Sequence, residues 1–192
     1  CSHRERPLRP PAEGPLAVFA GSPDDVGMTA FPDSPFGAME RLTLDPAPLA
    51  VIRHEGIRIA DLRDAFDTGY GAIAAYFHDG TLVPAGPAVA IYYGDPMGVF
   101  DLELGFPVAT APTDPLITAS GASVQASTLP SGAAAATTHI GSYDGLGRAW
   151  MGLAERAGAE GLHHRGIWIE VYVSDPTEDP EELRTDLILP VA

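Results

Sequence analysis

One structural unit occurs twice in this 192-residue sequence. Residues 42–56 (LTLDPAPLAVIRHEG) align without a gap on residues 127–141 (STLPSGAAAATTHIG), with Leu44 against Leu129 and His54 against His139. Each copy then continues alike, with AIYYGDP at 90–96 against EVYVSDP at 170–176, and ELGFPVA at 103–109 against DLILPVA at 186–192. We therefore expect repeats over residues 39–109 and 122–192 that together build one domain, residues 39–192.

Each copy contains one segment with the periodicity of an amphipathic helix. In the first copy apolar residues recur at i, i+3, i+4 and i+7 over about residues 61–77, with Asp61 as the N-cap. The second copy repeats the pattern from Leu146 to Ala157, and Gly158 suits a left-handed exit from the helix.

Runs typical of β-strands surround both helices. They cover residues 40–44, 49–54, 89–93, 102–108, 123–129, 135–140, 167–173 and 185–191. Eight strands and two helices predict an α+β fold: a mainly antiparallel eight-stranded sheet with both helices on one side and a pseudo-twofold relating the halves.

Residues 1–38 differ in composition from this domain. They hold seven prolines and one short apolar run at 16–19, which predicts an extended arm with at most one edge strand; a disordered tail fits the same composition. The chain starts at Cys1, and no run is long enough to span a membrane. We expect a cytoplasmic protein, with a lipid-bearing Cys1 as the less favoured alternative.

Composition excludes several classes of chemistry. All 11 basic residues are arginine, so no lysine can form a Schiff base or a phosphate loop. The formal charge of −15 disfavours nucleic acid and favours cations as partners. A single cysteine and the adjacent His163 and His164 do not have metal-ligand spacing, so we expect no metal and no cofactor.

One strand carries an unusual alternation. Over residues 167–173, Trp168, Glu170 and Tyr172 share one face, which puts a carboxylate between two aromatic rings. The other face is apolar, and we expect that apolar face to contact the helices. The alternative interpretation is that Glu170 lies on the wet face of a half-exposed sheet.

The matching strand of the first copy has small residues where the second has large ones. Ala88, Ala90 and Tyr92 occupy the equivalent face, so the two strands could frame a cleft with Ala88 and Ala90 as its floor. Tyr93 and Tyr143 could close its edges. Stacking surfaces around one carboxylate suit a flat cationic molecule.

These segments resemble a known family. GSYDGLGRAW (141–150), EVYVSDP and RTDLILPV (184–191), with the duplicated IYYGDP and ELGFPV, look like the GyrI-like small-molecule-binding domain. That domain has the same fold as the effector-binding domains attached to some AraC-type and MerR-type bacterial regulators. The resemblance covers about residues 40–192 and implies a cleft for bulky, often cationic compounds with Glu170 as the central acidic contact. It also implies an aromatic lining, made of Tyr143, Tyr172, Tyr92, Trp168 and Trp150. No arginine-rich helix-turn-helix precedes residue 40, so we expect a stand-alone member.

Three functions are consistent with this resemblance. The first is non-catalytic binding of hydrophobic or cationic drug-like molecules around Glu170. The second is hydrolysis of cyclopropane-bearing toxins, with Glu170 as base and Tyr143 or Tyr172 as proton donor. The third is a protein partner role, as in the gyrase-inhibiting members of the family, for which the sequence offers no docking motif.

Overall fold

The computed structural model describes residues 30–192. Of the arm expected over residues 1–38, the part up to residue 29, with its short apolar run, lies outside the described residues. Two α-helices and nine β-strands are present in the described part of the chain. The helices are α1 (Leu62–His78) and α2 (Leu146–Ala159), each preceded by a short 3-10 turn. The strands are β1 (Glu40–Leu44), β2 (Pro48–Ile57), β3 (Ala88–Gly94), β4 (Phe100–Pro107), β5 (Leu116–Ile117), β6 (Ser123–Thr128), β7 (Gly132–Ile140), β8 (Ile167–Tyr172) and β9 (Arg184–Pro190).

All nine strands form one antiparallel sheet, in the order β1-β7-β9-β8-β3-β4-β2-β6-β5. The α+β class is confirmed. The expected strand number of eight was wrong by one, because β5 is only two residues long and carries no readable alternation. The strands β3 and β8 are neighbours at the middle of this order, and each is followed outward by the next strand of its own copy. The duplication and the pseudo-twofold stay predictions.

Both helices lie on one face of the sheet. Paired residues of neighbouring strands point to the same side, and one such row runs Leu187, Glu170, Ala90 and Leu104. Apolar side chains of α1 pack against Ala90 and Leu104, and apolar side chains of α2 pack against Leu187. The row of Glu170 is therefore the helix side of the sheet.

The strand alternation in β8 was read correctly, but its two faces were assigned the wrong way round. Ile169 and Val171 do not contact the helices; they belong to a separate apolar cluster on the far face, with Leu42, Val51 and Ile188. This cluster combines β1 and β2, which lie far apart in the sheet order, so the sheet curls around the far face. Because both faces are buried, polarity alone does not show which one faces a helix.

The helix boundaries follow the apolar stripes closely. Ile73 in α1 and Leu153 in α2 are fully buried against the sheet. The expected exit at Gly158 was wrong: α2 continues to Ala159, and the left-handed residue is Gly161, with φ of 75°. Within residues 30–192, neither helix has both the length and the hydrophobicity of a membrane span.

Candidate functional site

Glu170 lies at the middle of the sheet, beneath the gap between the two helices. Its strand β8 pairs with β3 so that Glu170 stands opposite Ala90, and the carboxylate side chain is buried, with 6% exposure of the residue. Ala90 is itself fully buried. A small residue beside Glu170 leaves room over the strand pair for larger side chains to converge on the carboxylate.

Three neutral donors bind the Glu170 carboxylate. The indole Nε1 of Trp150 donates to Oε1 at 2.8 Å. The hydroxyls of Tyr92 and Tyr172 both donate to Oε2, at 3.0 and 2.5 Å. Tyr172 comes from the same face of β8, Tyr92 from β3, and Trp150 from the apolar stripe of α2. The network thus joins both halves of the chain at one carboxylate.

The tyrosines of this network remain protonated donors well above neutral pH. Burial, followed by the charge of Glu170, raises the pKa of Tyr172 and that of Tyr92 well above the usual range. The same two causes, in the same order, raise the pKa of Tyr70, whose hydroxyl donates to the Val89 carbonyl at 2.9 Å. These phenols therefore supply hydrogen bonds to the carboxylate, but they do not supply a positive charge that would neutralise it.

A cluster of aromatic rings covers the carboxylate. Tyr172 makes edge-to-face contacts with Phe66, Tyr70 and Tyr143, at centroid distances of 5.9, 6.2 and 5.8 Å. Phe66 and Tyr70 come from α1, whereas Tyr143 precedes α2 and is 42% exposed. These rings pack against one another where an open cleft was expected.

Two tryptophan rings form a second aromatic group beside Glu170. Trp150 and Trp168 meet edge to face at 5.2 Å, and the Trp168 indole donates to the Gly94 carbonyl at 3.1 Å. The ring of His164 lies 5.0 Å from that of Trp168. From the sequence, His164 is considered only as a metal ligand, so this contact with Trp168 is not predicted.

The structure brings together most of the residues that the sequence singled out, namely Glu170, Tyr143, Tyr172, Tyr92, Trp168, Trp150 and Ala90. Tyr93 is not among them. It alternates with Tyr92, so it points to the far face, where its hydroxyl donates to Glu103 at 3.1 Å. Its assignment to the edge of the cleft was wrong.

Phe66 and Tyr70 are the site residues that sequence reasoning missed. Both belong to the apolar stripe that predicts α1, and both pack in the core beneath it. A helix stripe does not indicate which of its members face a neighbouring carboxylate. One feature of the sequence could have indicated a role for Phe66. When the starts of the two helices are aligned, Phe66 in α1 has the same position as Trp150 in α2.

Glu170 differs from the two other buried carboxylates of the described residues. Asp186 is fully buried and is bound by the Arg184 guanidinium, with Nη2 2.7 Å from Oδ2. Glu103 is paired with Arg53, whose Nη1 lies 3.5 Å from Oε1. Glu170 forms no ion pair among residues 30–192. Of these three acidic side chains, it alone is held by neutral donors without an arginine.

Two surface cavities lie away from this cluster. One of about 190 Å³ is lined by residues near Phe31 and Pro46, and one of about 510 Å³ lies between α1 and residues 118–120. No group of three or more His, Cys, Asp or Glu side chains in residues 30–192 could hold a metal ion.

One comparison with known proteins identifies the family. The family model described as "GyrI-like small molecule binding domain" matches residues 38–192. No curated protein matches the chain. The EcmrR C-terminal domain has a TM-score of 0.64 at 15% identity, covering 80% of this chain and 96% of that one.

Two further solved structures have the same fold. A protein described as a hydrolase from Listeria innocua has a TM-score of 0.56 at 17% identity, over 83% of this chain and 94% of that one. SAV2435, solved with tetraphenylphosphonium, has a TM-score of 0.54 at 12% identity, over 80% and 93%. These likenesses show the fold, and the family model, which covers most of the sequence, shows that this chain belongs to the GyrI-like small molecule binding domain family.

Proposed function

We propose that this chain binds a bulky, apolar organic cation at Glu170, between α1 and α2. The observation that carries the proposal is the state of that carboxylate: it is buried, hydrogen-bonded by Trp150, Tyr92 and Tyr172, and without an ion pair among residues 30–192. A buried charge is costly unless it is paired. A cationic ligand would supply the missing countercharge.

Glu103 and Asp186 provide an internal comparison for this argument. The same fold neutralises both with arginine on the far face of the sheet. Phenol and indole donors stabilise the Glu170 anion but leave its charge in place, so its attraction for a cation persists.

The surrounding rings suit the apolar part of such a ligand. Tyr143, Tyr172, Phe66 and Trp168 offer ring faces and edges around the carboxylate once one of them moves aside. A cation over an aromatic face gains about 0.5–2 kcal/mol, more as water is excluded. The formal charge of −15 adds a long-range attraction for cations.

One relative of the same fold supports this ligand class. SAV2435 has been solved bound to tetraphenylphosphonium, a cation whose charge is surrounded by aromatic rings. The identity of 12% limits the likeness to the fold, so the argument for this chain rests on its own Glu170 site.

The test is replacement of Glu170 by glutamine, which preserves the shape and removes the charge. Titration calorimetry with a cationic aromatic dye and a neutral dye of the same shape should show a loss of about tenfold or more for the cation and little change for the neutral compound. Glu155→Gln is the matched control, because Glu155 is exposed on α2 and its replacement changes the net charge equally. Equal losses for both dyes would refute an electrostatic role for Glu170.

Hydrolysis of a strained electrophile is the second candidate. It is favoured by the carboxylate–phenol pair, Glu170 and Tyr172, whose oxygens lie 2.5 Å apart, and by the fold neighbour described as a hydrolase. Glu170 would take a proton from water as the water oxygen bonds to a ring carbon and a ring C–C bond breaks. Tyr172 or Tyr143, kept protonated by its raised pKa, would protonate the atom that receives the electrons of the broken bond. Substoichiometric protein incubated with cyclopropane-bearing compounds should then yield more than one product per chain. A yield limited to one equivalent or less would count against turnover.

A further inference from the structure

The number of free acceptor positions on the Glu170 carboxylate limits which cations it can hold. A carboxylate offers about four lone-pair positions. Trp150 takes one on Oε1, and Tyr92 and Tyr172 take two on Oε2. Oε2 is therefore saturated, and one position on Oε1 remains for a ligand.

The side chains that bond to Glu170 or pack against its donors add only neutral acceptors. The Trp150 and Trp168 indoles are donors only, and the Trp168 N–H is already bound to a carbonyl. The hydroxyl of Tyr70 donates to Val89. The phenol oxygens of Tyr92 and Tyr172 can still accept, but a bond to a neutral oxygen is about half as strong as one to a carboxylate.

We propose that the Glu170 site selects among organic cations by their number of N–H donors, favouring those with none or one over primary ammonium ions. This inference rests on the proposed function and adds its ligand specificity. A primary ammonium loses its water partners on entry and finds one carboxylate position for three N–H groups. A quaternary cation has no donor to satisfy and needs only charge and ring faces.

The experiment uses one ring system with graded donors. Naphthylmethylammonium carrying zero, one, two or three N-methyl groups is titrated into the full chain by calorimetry. Neutral analogues with carbon in place of nitrogen measure the gain from added methyl groups alone. After subtraction of that gain, the trimethyl compound should bind about tenfold more tightly than the primary one, the cost expected for a buried unsatisfied donor. Equal or reversed affinities would overturn the inference.

Tyr172→Phe tests the assignment to lone pairs. It frees one position on Oε2 while keeping the ring, so the preference for the trimethyl compound should fall by about threefold or more. The control is Tyr76→Phe, because the Tyr76 hydroxyl donates to the Ile117 carbonyl at 2.7 Å and its ring packs in a separate apolar cluster. An unchanged preference in Tyr172→Phe would overturn the lone-pair explanation.

The same titrations separate this inference from the proposed function. If the trimethyl cation binds no more tightly than its neutral carbon analogue, cation recognition fails, and the specificity fails with it. If it binds more tightly than the neutral analogue but no better than the primary ammonium, cation binding stands and the selection by N–H donors is wrong.

Discussion

Replacing Arg184 by methionine would turn Asp186 into a buried carboxylate without a cationic partner. In the structure Arg184 donates to both oxygens of Asp186, from Nε at 3.1 Å and from Nη2 at 2.7 Å. The Asp186 residue is fully buried, and the hydroxyl of Thr138 would remain as its donor. Asp186 would then lack a countercharge, as Glu170 does among residues 30–192, and would have fewer donors than Glu170.

The expected loss follows from that burial. Removing one partner of a buried ion pair costs about 3–5 kcal/mol. For a chain of this length, each kcal/mol lowers the melting temperature by about 2–4 °C, so a fall of roughly 6–20 °C is expected. The control is Arg41→Met, since the Arg41–Glu160 pair is exposed and such pairs contribute about 0–1 kcal/mol.

Arg184 also holds the chain before β1, because it donates to the carbonyls of Pro32, Asp33 and Ser34. The double variant Arg184→Met with Asp186→Asn separates the two roles. If the unpaired charge causes the loss, the double variant should regain a large part of it in urea unfolding followed by circular dichroism. A single variant no less stable than Arg41→Met, or a double variant no better than the single one, would refute the reasoning.

Three other changes have expected outcomes. Gly105→Ala should cost at least about 1–3 kcal/mol in urea unfolding, because an added Cβ would lie 2.2 Å from the Ala50 carbonyl oxygen. Tyr143→Ala should speed the association of a cationic dye in stopped-flow fluorescence, and an unchanged rate would contradict a covering role for that ring. Burial and the charge of Glu170 raise the folded pKa of Tyr172 above its unfolded value, so its stabilisation is complete below about pH 10 and is lost as the pH rises further. Urea midpoints measured upward from about pH 9 should fall, and less so in Tyr172→Phe.

The repeat and the alternation predicted one neighbour of Glu170 in the sheet. They placed Ala90 beside it, and the register of β3 against β8 pairs the two. They did not predict which face of β8 meets the helices. Ile169 and Val171 are fully buried on the far face, and a contact with a helix would bury them equally. A strand buried on both sides defines two sets of residues but not their orientation.

Long-range partners were the other part that the sequence did not predict. Trp150 was included only through the family resemblance, and its hydrogen bond to Glu170 depends on how α2 crosses the sheet. Phe66 and Tyr70 had an adequate explanation as core residues, so nothing in their spacing indicated a second role. Such contacts come from packing between elements, which local periodicity does not encode.

The two faces of the sheet treat buried charge in opposite ways, and this difference connects the fold to the proposed function. On the far face, Arg184 neutralises Asp186 and donates to the backbone before β1, so both charges serve to stabilise the fold. On the helix face, phenols and an indole hold Glu170 in place with its charge uncancelled. A protein that needed only stability would gain by pairing or replacing Glu170, since a buried ion without a countercharge is unfavourable. Under the proposed function, a bound cation would offset the cost of this charge, because the attraction would act in a site from which water is excluded.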